Sequence, residues 1–319
     1  MDNKSNKTMS EKKIQNTIKP IFSKNYSAIA MSSSEEYLPY LCVCLQSLVD
    51  NTDKKHNYDI VIFSSCENEE KKNIVTSKYS KKNISVRFYN PKRHFENIKL
   101  HISAYYFNEA CYYRIITPEA MPDYKKVVFT DIDLIFNSDI QELYNLDIAQ
   151  YAFASCIEEI WEKYIDESIS VQNVDIAEYS KTTLKLTDLK KYFNTGVAII
   201  NIEEFNKQNY CPKLKEIITK NNFLFQEQCA LNVLLNSKTK VLPSEWNIEI
   251  SKNYPEIYNK YNLKDMKIIH WLGPEKPWKY PDRPYAKLWW KYAKKTPYFN
   301  HLKKYKKTFF KRLMLILNT

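Results

Sequence analysis

The chain has 319 residues, of which 44% are hydrophobic and 14% aromatic, and its formal net charge is +11. This composition excludes a disordered chain, and the length allows one large α/β domain or two small ones. The seven cysteines are scattered, odd in number and without a CxxC pair, which favours free thiols in a reducing compartment over disulfides or zinc. Glycine occurs only at Gly196 and Gly273, so no Gly-rich phosphate loop exists, and both are expected to serve positive φ or close approach.

Predicted strands and helices alternate along the chain after a Lys-, Asn- and Ser-rich stretch, 1–26, which we expect to be a mobile lead-in and not a signal peptide. The predicted strands are 28–31, 58–63, 84–89, 127–129, 151–156 and 197–201, and the predicted helices are 38–49, 67–79, 105–116, 214–221 and 227–235. This order predicts a mostly parallel sheet with helices on both faces, where ligands bind at the carboxyl ends of strands. No apolar run approaches the ~20 residues that span a bilayer.

Two carboxylates, Asp131 and Asp133, follow the apolar strand 127–129 and are followed at once by a second apolar run. Residues i and i+2 of a strand point to the same face, so the two carboxylates repel each other unless a cation lies between them. Mg²⁺ and Mn²⁺ prefer such oxygen ligands. An Asp pair in an ordinary turn is the alternative, but the apolar flanks imply burial, where uncompensated charge is costly.

The C-terminal segment 283–319 contains eleven of the 48 basic residues and none of the 37 acidic ones, so the net charge resides there. Aromatic residues are interleaved with the basic ones, and an apolar Leu-Met-Leu-Ile-Leu run occupies 313–317. This pattern favours an anionic membrane surface, with rings at headgroup depth and lysine stems snorkelling. A helix that packs on its own domain and a nucleic-acid-binding tail are the alternatives, and the apolar run favours lipid over a phosphate backbone.

Five blocks of sequence resemble glycosyltransferase family 8, the retaining nucleotide-sugar transferases that include bacterial lipopolysaccharide galactosyl- and glucosyltransferases. The blocks are 29–34 with Tyr37 and 40–43, Tyr113-Arg114, 129–133, 193–197, and 270–278, which reads His-Trp-Leu-Gly-Pro-Glu-Lys-Pro-Trp. The resemblance covers about 27–297. It implies a GT-A-like (Rossmann-like), mostly parallel mixed sheet flanked by helices over 27–282, followed by a helical basic tail over 283–319.

The resemblance also implies a metal site, in which Asp131, Asp133 and His270 would hold Mn²⁺ or Mg²⁺ against the diphosphate of a UDP-sugar. The residues implied to bind the donor are Ser32, Ser34, Tyr37, Arg114, Asp131, Ile132, Asp133, Gly196, Gly273 and Lys276. Gly273 would let backbone approach a phosphate, and Lys276 would supply positive charge to the leaving diphosphate. For Arg114 a surface ion pair is the alternative, and Pro277 and Trp278 are expected to pack and fix the loop.

By the same resemblance, Asn194, Glu227 and Gln228 would form the catalytic region around the donor sugar and the acceptor. Gln228 would lie near the β-face of the anomeric carbon, where a glutamine is a poor nucleophile, so front-face attack is favoured over a double displacement. One departure is the run 32–34, Ser-Ser-Ser, where the family usually has acidic residues that contact uracil and ribose. The sequence therefore predicts the identity of the nucleotide base less firmly than the binding of a diphosphate.

These observations predict metal-dependent, retaining transfer of a hexose from UDP-galactose or UDP-glucose to an oligosaccharide or lipid-linked glycan, such as a lipopolysaccharide or other surface-glycan precursor. We expect a cytoplasmic enzyme, peripheral at the inner face of a bacterial membrane, with no nucleic-acid partner. A protein-glycosylating transferase and a non-catalytic sugar-nucleotide-binding protein on the same fold are alternatives. Haloacid-dehalogenase-like phosphatases also use Asp-x-Asp, but usually on an early strand and followed by Gly-Thr, whereas Leu134 and Ile135 follow here.

Overall fold

The structure is a computed structural model that describes residues 17–105 and 107–304. Its strands are β1 (Tyr26–Ser32), β2 (Asn57–Phe63), β3 (Ile84–Tyr89), β4 (Lys126–Thr130), β5 (Leu134–Phe136), β6 (Phe153–Ile157), β7 (Ser170–Val171), β8 (Val174–Asp175), β9 (Phe193–Asn201), β10 (Lys240–Val241), β11 (Ile248–Ile250) and β12 (Ile268–Trp271). Its α-helices are α1 (Leu38–Asp50), α2 (Glu69–Tyr79), α3 (Thr117–Ala120), α4 (Ile140–Tyr144), α5 (Glu159–Asp166), α6 (Ile176–Thr182), α7 (Ile202–Lys207), α8 (Tyr210–Lys220), α9 (Gln226–Leu235), α10 (Pro255–Asn259) and α11 (Ala286–Ala293). Short 3₁₀ helices cover Glu35–Tyr37, Lys92–Phe95, Glu109–Ile116, Leu189–Lys191, Asn236–Lys238 and Ser244–Trp246.

The central sheet has seven strands in the order β10-β6-β9-β4-β1-β2-β3. Only β9 runs antiparallel to its neighbours β4 and β6, and the other pairs in this sheet are parallel. Successive residues of β1 enter opposite cores, since Ile29 belongs to the apolar cluster with α1 and α2, and Ala30 to the cluster with α8 and α9. The predicted mixed, mostly parallel sheet with helices on both faces is confirmed.

A second sheet, in the order β11-β12-β5, positions the Asp-x-Asp turn. The chain leaves the central sheet at the end of β4, passes through Asp131 and Asp133, and enters β5 of the second sheet. There His270 of β12 lies opposite Leu134 in an antiparallel pair. The tertiary fold therefore brings a histidine from the far end of the domain next to the two carboxylates.

An irregularity in β9 shapes the floor of the same region. Ser155 pairs with Ala198, but Ile157 pairs with Phe193, so residues 194–196 bulge out of the ladder with β6. The Gly196 carbonyl accepts the backbone N–H of Asp131 at 2.8 Å, which ties the bulge to the Asp-x-Asp turn. Bulges re-aim side chains and are frequent beside functional sites.

The predicted bounds of one helix and of the lead-in differ from the structure. Among the described residues of the predicted helix 105–116, only Glu109–Ile116 is helical, and it is a 3₁₀ helix. Within the predicted lead-in, the backbone N–H of Ile18 donates to the Ala120 carbonyl at 2.7 Å and β1 already begins at Tyr26, so this part is fixed to the domain. The rest of the lead-in, 1–16, lies outside the described residues.

The predicted boundary after Asp282 does not end the folded domain. Trp289 and Trp290 of α11 are buried in an apolar cluster with Tyr40 and Val43 of α1, so these rings are not available to a membrane surface. The first part of the basic segment thus packs on its own domain, the alternative considered from the sequence. The run 313–317 lies outside the described residues. Across the described ranges, no helix is long and apolar enough to cross a bilayer.

Candidate active site

A cleft opens where the carboxyl ends of β1 and β4 meet the β9 bulge and the loop after β12. Thirteen of the predicted site residues line it: Ser32, Ser34, Tyr37, Arg114, Asp131, Ile132, Asp133, Asn194, Glu227, Gln228, His270, Gly273 and Lys276. Ile132 itself is almost fully buried in the apolar core. The fold thus gathers residues that are more than 240 positions apart in sequence.

Asp131, Asp133 and His270 form a compact group of potential metal ligands whose donor atoms all lie within 4.8 Å of one another. The His270 Nε2 atom lies 3.1 Å from Asp133 Oδ1 and 3.8 Å from Asp131 Oδ2. The other ring nitrogen, Nδ1, lies 2.9 Å from Asn247 Oδ1. Two carboxylates and one imidazole, with Nε2 directed at the carboxylates, suit a divalent cation such as Mn²⁺ or Mg²⁺.

Gly196 explains how His270 fits behind the carboxylates. A Cβ atom on Gly196 would lie 2.3 Å from His270 Cε1 and 2.8 Å from His270 Nδ1, distances that packed atoms do not reach. The glycine therefore permits the close approach of the imidazole. Gly273 serves the other expected purpose: its φ is +65°, and apart from its chain neighbours no atom of the described residues lies within 4 Å of the position that a Cβ would take.

Arg114 is 3% exposed and bridges two carboxylates of the site, those of Asp131 and Glu227. Its Nη2 pairs with Asp131 Oδ1, and its Nε lies 3.1 Å from Glu227 Oε1. Its Nη1 donates to the carbonyl of Thr195 in the β9 bulge. The guanidinium is buried, so this is not the surface ion pair considered from the sequence. Because such a pair carries desolvated charge, Arg114 both fixes and neutralises its carboxylates.

Lys276 reaches back from the loop after β12 to the Asp-x-Asp turn. Its Nζ lies 2.5 Å from Asp133 Oδ2 and also donates to the Trp271 carbonyl. Burial raises the pKa of Asp133, but the positive charge of Lys276 and the hydrogen bond from it hold that pKa well below the usual range. Asp133 therefore stays ionised and can bind a cation.

Aromatic packing holds the loop that carries Lys276. Trp278 is 2% exposed and stacks on Tyr40 of α1 with ring centroids 4.2 Å apart, which confirms its predicted packing role. The Trp290 indole N–H donates to the Pro277 carbonyl at 3.0 Å. The helix α11 thus supports the cleft from behind.

Gln228 is buried and hydrogen-bonded at both ends of its amide. Its Oε1 accepts the Thr195 backbone N–H at 3.0 Å, and its Nε2 donates to Glu158 Oε2 at 2.5 Å and to the Tyr192 hydroxyl at 3.2 Å. An oxygen already occupied by donors is a weak nucleophile. The geometry therefore suits a positioning group on the floor of the cleft.

Two buried carboxyl groups on this floor have raised pKa values. Burial raises the pKa of Glu158 to about 7 despite the hydrogen bonds from Asn194 and Gln228. Burial likewise raises the pKa of Glu227 to about 7, against the opposing charge of Arg114. Desolvation by burial therefore outweighs the polar partners of both carboxyl groups.

The sequence reasoning missed Glu158 and Asn247. Glu158 follows β6 directly, and an acidic residue at the carboxyl end of a predicted strand was a usable signal for it. Asn247 precedes β11, a strand of three residues that no pattern indicated. The family usually has acidic residues after the first strand, where this chain has serines. Glu35 does not take their place in the cleft, because it lies outside the cleft and pairs with Lys71.

A Rossmann-like sheet whose Asp-x-Asp turn meets a histidine and a lysine from the end of the domain defines a glycosyltransferase of the GT-A fold. The chain belongs to Glycosyl transferase family 8, since the sequence model of that family matches residues 28–282. The resemblance drawn from the five blocks is confirmed.

Relatives and solved structures agree with this assignment. A Haemophilus influenzae protein that carries a provisional glycosyltransferase name is 31% identical over 258 residues, covering 78% of this chain and 72% of its own length. The lipopolysaccharide 1,3-galactosyltransferase of Salmonella typhimurium is 27% identical over 177 residues, 53% of this chain and about half (49%) of that protein. The galactosyltransferase LgtC, solved with donor and acceptor sugar analogues, superposes with a TM-score of 0.67 at 20% identity, over 85% of this chain and 96% of that one. The likeness to LgtC shows the fold.

Proposed function

We propose that the protein transfers a hexose, galactose or glucose, from UDP-galactose or UDP-glucose to a glycan acceptor with retention of anomeric configuration. The observation that carries the proposal is the cluster of Asp131, Asp133 and His270 with Lys276 beside it. A nucleotide diphosphate is the leaving group that needs such a set, because it gains negative charge as the glycosidic bond breaks. The Salmonella relative is named for galactosyl transfer, which favours galactose as the donor sugar.

The three-residue cluster fits a divalent cation by its chemistry: two carboxylates, of which Asp133 is held ionised, and one imidazole nitrogen directed at them. Bound there, Mn²⁺ or Mg²⁺ would neutralise charge on the diphosphate of the donor. Lys276 would then exchange its contact with Asp133 for a phosphate oxygen, as a second cation on the leaving group. Arg114, in the wall of the cleft, keeps Asp131 fixed.

On the floor of the cleft, Asn194, Glu227 and Gln228 would face the donor sugar. Gln228 is held by Thr195 and Glu158, so it would present a fixed amide to the sugar and not attack its anomeric carbon. This arrangement supports front-face attack by the acceptor hydroxyl. The serines at 32 and 34 line the other end of the cleft, where they would contact the nucleoside together with Tyr37.

For the acceptor we propose an oligosaccharide or a lipid-linked surface-glycan precursor, presented at the inner face of a bacterial membrane. The support is the name of the lipopolysaccharide-modifying relative and the basic, apolar sequence of 305–319. Because α11 is part of the fold, the membrane-associating segment proposed here is restricted to 305–319. A protein acceptor is the alternative within the family.

The test is UDP release from a panel of UDP-sugars, with water as the acceptor, in the presence and absence of Mn²⁺. We expect slow, metal-dependent hydrolysis of UDP-galactose or UDP-glucose, which Asp133→Asn abolishes together with Mn²⁺-dependent UDP binding. Asp123→Asn, an exposed aspartate outside the cleft, is the matched control and should behave as the wild type. Unchanged UDP affinity of Asp133→Asn in Mn²⁺ would remove the metal assignment, and UDP binding without turnover on any donor and acceptor would indicate a binding protein.

A further inference from the structure

A continuous chain of buried hydrogen bonds joins the metal-ligand group to the floor of the cleft. His270 Nδ1 lies 2.9 Å from Asn247 Oδ1, and Asn247 Nδ2 donates to Asn194 Oδ1 at 2.9 Å. Asn194 Nδ2 in turn donates to Glu158 Oε2 at 3.1 Å, which also accepts from Gln228. All five side chains are at most 9% exposed. We call Asn247 and Asn194 the amide relay.

The polarity of the relay is fixed at the β9 bulge. The backbone N–H of Gly196 can only donate, and its partner at 2.7 Å is Asn194 Oδ1. The oxygen of the Asn194 amide therefore faces Gly196, and its NH₂ group faces Glu158, a carboxylate acceptor. Both contacts would be lost if this amide were turned over. Its NH₂ group would then face the Gly196 N–H, another donor, and its oxygen would face the Glu158 carboxylate, another acceptor.

The orientation of Asn194 determines the orientation of the next amide. Because Asn194 presents an oxygen, Asn247 must present its NH₂ group to it, which turns Asn247 Oδ1 toward His270. An amide oxygen only accepts, so the hydrogen of this last contact belongs to His270 Nδ1. A neutral imidazole with its hydrogen on Nδ1 has a free lone pair on Nε2, the nitrogen that faces Asp131 and Asp133.

We infer that Asn247, oriented through Asn194 by the Gly196 N–H group, is a positioning residue that keeps the hydrogen of His270 on Nδ1 and thereby offers Nε2 to the metal ion. The inference rests on the metal site of the proposed function and adds to it the residues that hold the histidine ready. Asn247 does not line the cleft, so it acts through His270 and not on the substrate. Partners of this kind orient metal-bound histidines in proteins generally.

The relay is tested by Mn²⁺ binding, measured from the electron paramagnetic resonance of free Mn²⁺ with and without UDP. Asn247→Leu keeps the approximate size of the side chain but removes the acceptor, and it should weaken Mn²⁺ binding about 10- to 100-fold. Asn247→Asp retains an acceptor for Nδ1–H and should bind Mn²⁺ within a few-fold of the wild type, about threefold at most. Asn137→Leu, which loses two hydrogen bonds to backbone carbonyls away from the cleft, is the control and should keep wild-type affinity.

A merely structural role of Asn247 predicts a different pattern, because a buried aspartate would then be no better than leucine. Equal weakening by both variants, or wild-type affinity of Asn247→Leu, would overturn the inference. Should the leucine variant not fold, long-range ¹H–¹⁵N spectra of the wild type, assigned with His270→Ala, decide the matter. A hydrogen on Nδ1 supports the relay, and a neutral ring with its hydrogen on Nε2 alone refutes it.

The same experiments separate this inference from the proposed function. A wild-type protein that binds no Mn²⁺, with or without UDP, refutes the metal site and with it the purpose of the relay. A wild type that binds Mn²⁺ normally, beside an Asn247→Leu variant that does so equally well, refutes the relay alone and leaves the glycosyltransferase proposal intact.

Discussion

Gly196→Ala is the substitution whose effect the structure defines most sharply. The glycine lies in β9 and its φ is not in the left-handed region, so alanine meets no backbone strain there. The added methyl group would instead lie 2.3 Å from His270 Cε1, where carbon atoms in contact are about 3.5–4.0 Å apart. The Gly196 backbone is held through its N–H by Asn194 and through its carbonyl by Asp131, so the imidazole is the group that must move.

The displacement needed is about 1 Å or more, the difference between the contact distance and the available space. Such a movement lengthens the 2.9 Å contact between Nδ1 and Asn247 beyond hydrogen-bonding range and shifts Nε2 relative to the carboxylates. Overpacking of this kind costs ~1–3 kcal/mol of unfolding free energy. Loss of the histidine's support lowers metal affinity ~10–100-fold, and donor hydrolysis should fall by about 100-fold.

The assay combines urea unfolding, Mn²⁺ titration and UDP release for the wild type, Gly196→Ala, His270→Ala and the double variant. If the clash with the imidazole is the cause, Gly196→Ala should cost less stability in the His270→Ala background than in the wild type, a coupling of about 1 kcal/mol or more. A residual cost is expected from Asn194 Oδ1, at 2.8 Å from the added carbon. Equal costs in both backgrounds, or an unchanged Mn²⁺ affinity of the single variant, would refute the reasoning.

Three further predictions concern the buried charges and the C-terminus. Arg114→Met leaves the carboxylates of Asp131 and Glu227 without their partner, so urea unfolding should show a loss of ~3–5 kcal/mol. The pKa of Glu158 is raised from 4.5 to about 7 in the fold, so this group favours the folded state at low pH and that contribution is lost as pH rises through about 7. Between about pH 5 and about pH 8 the wild type should therefore lose ~3 kcal/mol of unfolding free energy relative to Glu158→Gln. Truncation after Lys304 should release the protein from anionic vesicles in a sedimentation assay while donor hydrolysis persists.

Each of these has a control or a contrary outcome. Lys190→Met breaks an exposed ion pair and should leave the unfolding free energy close to that of the wild type, unlike Arg114→Met. Parallel pH profiles of the wild type and Glu158→Gln would show that folding does not raise the pKa of Glu158. Truncation after Pro284 should unfold the protein, because it removes Trp289 and Trp290 from the core. Vesicle binding retained after truncation at Lys304 would remove the membrane role from 305–319.

Much of the central sheet followed from local sequence. The strand at 58–63 and the helix from Leu38 are recognisable because buried parallel strands are largely apolar runs and Pro39 suits a first helical turn. The five blocks also identified the family and gave a residue set that the fold brings into one cleft. By contrast, β5 and β11 have three residues each, too few for any periodicity to emerge.

The sequence by itself determined the fold class, the family and the carboxylate pair, because these reside in contiguous patterns. Only the tertiary structure decided which side chains neutralise and position the carboxylate pair. The buried ion pair of Arg114, the two amides behind His270 and the clash that requires Gly196 all join residues far apart in the chain. The C-terminal aromatic residues show the same limit: their pattern favoured a membrane surface, but Trp289 is buried because α1 offers an apolar face to pack against.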